Sequence, residues 1–236
     1  MKNVKHFATL LALLASISFA QEESRHYTAG AVGAYYAPLG SLADRYQPTF
    51  GGAVSFGIEE EGAAYWVGKV EYFKFTEIVD QEKSIEAEIK GETRTMTVPL
   101  DGPAMELEAA GAGVEGRYAF LDAGSIRGVG TFGFGFYYWE NYRGAYYDSV
   151  RVDTSGLGDM QTVWTFTVPA NEQIDWSGGF DLGVDVEANA FGPVWIVVGA
   201  QYRLIVGELW PALALDIENV SGMQMLRAHA GVAVRW

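Results

Sequence analysis

Side chains able to do acid–base, nucleophilic or metal chemistry are few and scattered in this chain. There are three histidines, His6, His26 and His229, and no cysteine, so a covalent mechanism would need a hydroxyl activated by an imidazole. Asp181 and Asp185 form a carboxylate pair of the kind that can divide acid and base roles, and Glu59, Glu60 and Glu61 form another acidic group. Glu86, Glu88 and Glu92 could offer oxygen to a divalent cation, but they lack the compact Asp/Asn/Gly loop of a calcium site and any histidine cluster. Their charge is better explained as keeping a surface hairpin soluble. Gly128, Gly130, Gly133 and Gly135 sit inside a strand pattern with no helix following, so they are not a phosphate cradle. No cofactor or metal is expected from these groups.

The elements that would position them are strands. From Ile174 to Ala190, Trp176, Phe180, Leu182, Val184, Val186 and Ala188 alternate with Ser177, Gly179, Asp181, Gly183, Asp185 and Glu187, and a period of two sends these sets to opposite faces. The same alternation predicts seven more strands, at about Tyr27 to Ala37, Phe50 to Glu59, Ala64 to Thr76, Met105 to Phe120, Ile126 to Tyr142, Val194 to Leu204 and Leu226 to Trp236. Connections alternate too, short at Glu60 to Gly62, Leu121 to Ser125 and Phe191 to Pro193, and long elsewhere. Inside two of the long loops, residues 77–104 and 143–173, shorter alternating arms flank glycine turns and predict hairpins standing clear of the main strands. Were those arms to join the main sheet, it would have ten or twelve strands.

Lys2 and Lys5 precede an apolar run from Phe7 to Ile17 that ends in Ser18, Phe19 and Ala20, which reads as an export signal cleaved before Gln21. Its removal leaves 216 of the 236 residues as one domain, 21–236, and moves the formal charge from −14 to −16. Such acidity disfavours nucleic acid as a partner. The mature part has no apolar run long enough for a membrane helix, so any membrane crossing must be made by strands.

Alternation alone does not say which face is inside. Trp66, Tyr72, Phe132, Phe134, Phe136, Trp176, Phe180 and Tyr202 share the apolar side and would overfill an eight-stranded barrel, whereas facing lipid they are well placed. Tyr35, Tyr36, Trp66, Tyr118, Tyr138, Trp176, Trp195 and Trp236 lie near strand ends, as interfacial girdles require. The expected fold is therefore all-β, a single antiparallel up-and-down transmembrane β-barrel of about eight strands with two long extracellular hairpin loops. Its lumen would hold Glu59, Lys69, Glu71, Glu115, Arg117, Arg127, Asp181, Asp185, Glu187, Arg203, Arg227, His229 and Arg235. Acids and bases balance in that set, so a paired and closed interior is expected.

The last strand closes with Ala228, Ala230, Val232, Val234 and Trp236, alternating apolar residues ending on an aromatic. In this it resembles the assembly signal of outer-membrane proteins, and the architecture as a whole resembles the small OmpA/OmpX-type barrels. The resemblance implies residence in outer-membrane lipid, escort by periplasmic chaperones and insertion by the barrel-assembly machinery, but no single activity. Lipid A deacylases among such barrels carry a serine two residues from the histidine, where this chain has Gly231 after His229. Outer-membrane proteases place acids and a histidine at the outer rim, where neither His26 nor His229 belongs. The expectation is a non-enzymatic barrel serving envelope integrity or binding an unknown extracellular ligand, with a narrow pore and a surface enzyme as successively weaker alternatives.

Overall fold

The computed structural model describes residues 26–59, 64–79, 82–89, 92–99, 104–153, 160–209 and 220–236. Twelve strands account for nearly all of them: β1 His26–Leu39, β2 Thr49–Glu59, β3 Ala64–Phe75, β4 Glu82–Ile89, β5 Glu92–Pro99, β6 Met105–Asp122, β7 Ile126–Arg143, β8 Tyr146–Asp153, β9 Met160–Val168, β10 Asn171–Phe191, β11 Val194–Leu209 and β12 Val220–Arg235. The expected signal segment, the turns at 60–62, 90–91 and 156–158, and most of the last long loop lie outside the described residues.

Eight of the strands close into an antiparallel barrel in the order β1-β2-β3-β6-β7-β10-β11-β12, with β12 returning to β1. Closure is continuous from Thr28 opposite Arg235 to Leu39 opposite Gln224, and the Tyr27 and Trp236 main chains exchange hydrogen bonds at 2.8 and 3.0 Å. Every edge in the barrel is thereby paired, as hydrocarbon surroundings demand. The β6–β7 and β10–β11 turns are tight, and each uses a glycine of positive φ, Gly124 at 75° and Gly192 at 51°. Gly124 N–H also donates to Asp122 Oδ1 at 2.9 Å. These turns and both barrel termini share one end, and all the long connections leave from the other.

The alternation has the polarity that the aromatic volumes suggested. Phe132, Phe134, Phe136, Trp176 and Phe180 lie on the outside, 47 to 68% exposed, while charged side chains fill the interior. Along β6 the outward positions from Ala110 to Phe120 carry no charge. At the rise and tilt of a barrel strand that run covers about 25 Å, the height of a lipid-facing band. Toward the long loops the band stops at outward Glu106 and Glu108, which meet Lys74 at 2.6 and 3.8 Å.

Three positions differ from the sequence expectation. Tyr36, expected in the interfacial girdle, is fully buried in the barrel, because β1 places it in phase with inward Ala34 and Thr28. Trp195 is in phase with inward Val197, and the Arg235 guanidinium lies 4.5 Å over its ring. His26 opens β1 instead of preceding it.

The four remaining strands form a second sheet, in the order β4-β5-β8-β9. Each expected hairpin is present. In addition the two join, β5 pairing with β8 through Met96 opposite Val152 and Thr97 opposite Arg151. This follows from the barrel order: β4–β5 rises from β3 and β6, β8–β9 rises from β7 and β10, and β6 is the neighbour of β7. The outer sheet is joined to the barrel through the end from which the long connections leave.

Candidate functional site

Two features are candidates for function, the filled lumen and the sheet above it. The lumen is built on inward positions of alternate parity, β3 supplying Lys69 and Glu71, β6 Glu115 and Arg117, β10 Asp181, Asp185 and Glu187, and β12 Arg227, His229 and Arg235. Arg127 comes from β7 and Arg203 from β11.

At the short-turn end, Arg127 Nη1 meets Glu59 Oε1 at 2.8 Å, and Arg235 joins Glu59 to Glu187. One layer inward, Arg117 spans Asp185, Glu187 and Glu115, with 3.4 Å to each of the last two. Lys69 Nζ then links Glu115 at 3.1 Å to Asp181 at 2.7 Å. Arg203 closes the series, donating through Nε and Nη2 to the two Asp181 oxygens at 2.6 and 3.1 Å and reaching Glu71 through Nη1 at 2.7 Å. With Arg227 Nε 4.0 Å from Glu71 Oε2, six carboxylates meet six cations in one connected chain, and the two oxygens of Asp181 receive a bidentate guanidinium, the strongest geometry for such a pair.

Neutral groups that the sequence reading did not assign complete it. Tyr137 Oη donates to Glu71 Oε1 at 2.8 Å and Tyr36 Oη to Oε2 at 3.2 Å. Gln201 accepts from Arg227 Nη1 at 2.7 Å and donates to Glu115 at 2.9 Å and to Thr131 at 3.2 Å. Parity alone would have found Tyr137, since it continues the face of Thr131, Gly133 and Gly135.

His229 is held from both sides. Arg227 Nη1 lies 3.3 Å from Nδ1, and because a guanidinium only donates, Nδ1 accepts and the proton is assigned to Nε2, which lies 3.1 Å from Asp185 Oδ1. A small cavity of about 40 Å³ touches Lys69, Glu115, Arg117, Arg227 and His229, enough for roughly two or three waters.

Toward the long loops the lumen becomes apolar. Phe73, Phe75, Leu107, Trp139, Ile205 and Met223 pack under Leu42 and Tyr46 of the first long loop, all essentially without exposure. Tyr46 Oη donates to Asn141 Oδ1 at 2.6 Å and Trp139 Nε1 to Ser177 Oγ at 2.9 Å, so the polar groups of these two aromatic side chains are satisfied. Ala228, Ala230, Val232, Val234 and Trp236, by contrast, all project from the outer face of the barrel. Among the described residues no group of three metal-ligating side chains converges.

A closed antiparallel eight-stranded barrel, charged within and aromatic without, is the fold of the small outer-membrane barrels. No protein-family model and no curated protein matches the chain. Among solved structures it is similar to a major outer membrane protein from Thermus thermophilus, with a TM-score of 0.53, 12% identity, and coverage of 91% of this chain and 100% of that one. It is also similar to Neisserial surface protein A, with a TM-score of 0.47, 14% identity, and coverage of 90% and 97%.

Proposed function

We propose that this protein is a non-enzymatic outer-membrane barrel with a closed lumen, whose work is done by the extracellular sheet, in surface interaction or envelope integrity. The observation that carries this reading is the union of β4-β5-β8-β9 into a single sheet beyond the lipid band. Holding a connection above a membrane needs only a few residues, whereas a paired sheet is an ordered surface.

Closure of the lumen is supported by the ion-pair chain beneath the apolar cap and by the small size of the cavity within that chain. Absence of catalysis is supported at His229, whose lone-pair nitrogen is occupied by Arg227 and whose other nitrogen is occupied by Asp185. A general base needs a free lone pair next to a nucleophile. Export with removal of residues 1–20, chaperone escort, and docking of the Ala228-to-Trp236 face on the assembly machinery belong to the same proposal. Outer-membrane lipid is the constant partner, and no cofactor is required.

Trimming both hairpins, residues 82–99 and 146–168, tests it. The trimmed barrel should still fractionate with the outer membrane and show a heat-dependent shift on a denaturing gel, yet lose its surface binding. If every surface property survives trimming, the sheet is not the functional element. Stable single-channel conductance from the intact protein would instead favour a narrow pore.

A further inference from the structure

We propose that the cavity beside His229 is a site for one small monovalent anion of halide size, taken up together with a proton on His229. This goes beyond the role given to the outer sheet and does not depend on it.

Arg227 is the residue that calls for a ligand. It is 2% exposed, yet among the described residues no carboxylate lies within hydrogen-bond distance of its guanidinium. The nearest, Glu71 Oε2, is 4.0 Å from Nε and is already held by Arg203 at 2.7 Å. Its closer partners, Gln201 Oε1 at 2.7 Å and His229 Nδ1 at 3.3 Å, are neutral acceptors, and Nε has no hydrogen-bond partner. Buried charges are ordinarily paired, so a guanidinium left with neutral acceptors favours an anion beside it. The cavity of about 40 Å³ supplies the place, for Arg227 lines it together with Lys69 and Arg117. Against these three cations the same wall carries two carboxylates, Glu115 and Asp185, and Ser55 adds a hydroxyl donor. Space for roughly two or three water-sized particles admits a halide ion and a water, but not the four oxygens of phosphate or sulfate.

Charge balance then brings in the proton. The lumen already matches six carboxylates with six cations, so an anion alone would leave one negative charge in excess. Of the groups around the cavity, His229 is the one whose type gains a charge near neutral pH. It is faced by Arg227 on its own strand, Asp185 of β10, Lys69 of β3, and Glu115 and Arg117 of β6, while β1, β2 and β11 line the cavity with uncharged residues. Nε2 lies 3.1 Å from Asp185 Oδ1, a partner suited to the charged ring. Nδ1 is the obstacle, because a proton there would set a second donor against Arg227 Nη1. An anion seated between them removes the conflict by accepting from both, so anion and proton each favour the binding of the other.

The test is equilibrium urea unfolding of the mature chain in micelles, with sodium chloride exchanged for sodium gluconate at fixed ionic strength, from pH 5 to pH 8. Gluconate is too large for the cavity. Stability should be flat at low chloride and then climb with the logarithm of its concentration, as binding to the folded state alone requires. The chloride concentration at which the climb begins should rise about tenfold per pH unit where the imidazole is mostly neutral. Arg227→Gln should abolish the dependence on chloride, and His229→Gln should leave a weaker one that no longer changes with pH. Crystals grown in bromide should show its anomalous scattering against the Arg227 guanidinium. Equal stability in chloride and gluconate, a chloride effect identical at pH 5 and pH 8, or a cavity without bromide would each overturn the site and leave it to water alone. If Arg227→Gln does not fold, the wild-type pH series and the bromide crystals decide the matter without it.

Discussion

Arg203 shows how an ionised residue is made tolerable inside this barrel. It is wholly buried, bonds both Asp181 oxygens, reaches Glu71, and lies with its guanidinium 5.7 and 5.3 Å from the ring centres of Tyr36 and Tyr137. Removing one member of such a set strands the others, so Arg203→Met should lower stability by about 3–5 kcal/mol, measured by urea unfolding in micelles. Because these groups are buried, the loss should be nearly the same in low and high salt. The half-exposed Lys74 and Glu106 pair should contribute little and fade with salt. Tyr137 fits only because its neighbours lack side chains: a Cβ on Gly111 would approach its ring to 2.4 Å, and one on Gly179 to 2.6 Å. Gly179→Ala should therefore cost about 1–3 kcal/mol, and much less in a chain that already carries Tyr137→Ala, a non-additivity visible in a double-mutant cycle.

At the scale of elements, all eight barrel strands were legible, because each buries one face among polar groups and turns the other to lipid, and a period of two survives in the sequence wherever that holds. Strand ends were less so. β12 begins at Val220, before the clean alternation at Leu226, since Met223 and Met225 point into the apolar cap and blur the contrast between faces. For the same reason the sequence pattern puts Tyr36 outside. An aromatic near a strand end has the same composition whether it faces headgroups or a cap, and only phase relative to Ala34 separates the two. The joining of the hairpins was not legible, because it depends on which barrel strands are neighbours and not on any local pattern. It follows that the hairpins should be coupled: deleting β8–β9 alone should raise amide exchange around Met96 and Thr97 of β5, which keeps β4 but loses β8, while exchange in β3 and β6 stays slow.

Over the whole molecule, charge is distributed by region. The lumen balances six acids against six bases, so the excess of acidic residues falls on the loops and outer surface. The closing pair, β1 with β12, joins the two ends of the described chain. Until β12 arrives, β1 and β11 each present a row of unsatisfied N–H and C=O groups, which hydrocarbon penalises by several kcal/mol apiece. Intermediates that have entered the bilayer but not closed are therefore strongly disfavoured. Insertion is therefore expected to await the sixteen residues of β12, and a chain truncated after Leu209 should remain in the aqueous phase, sensitive to protease, with every other barrel strand intact in sequence.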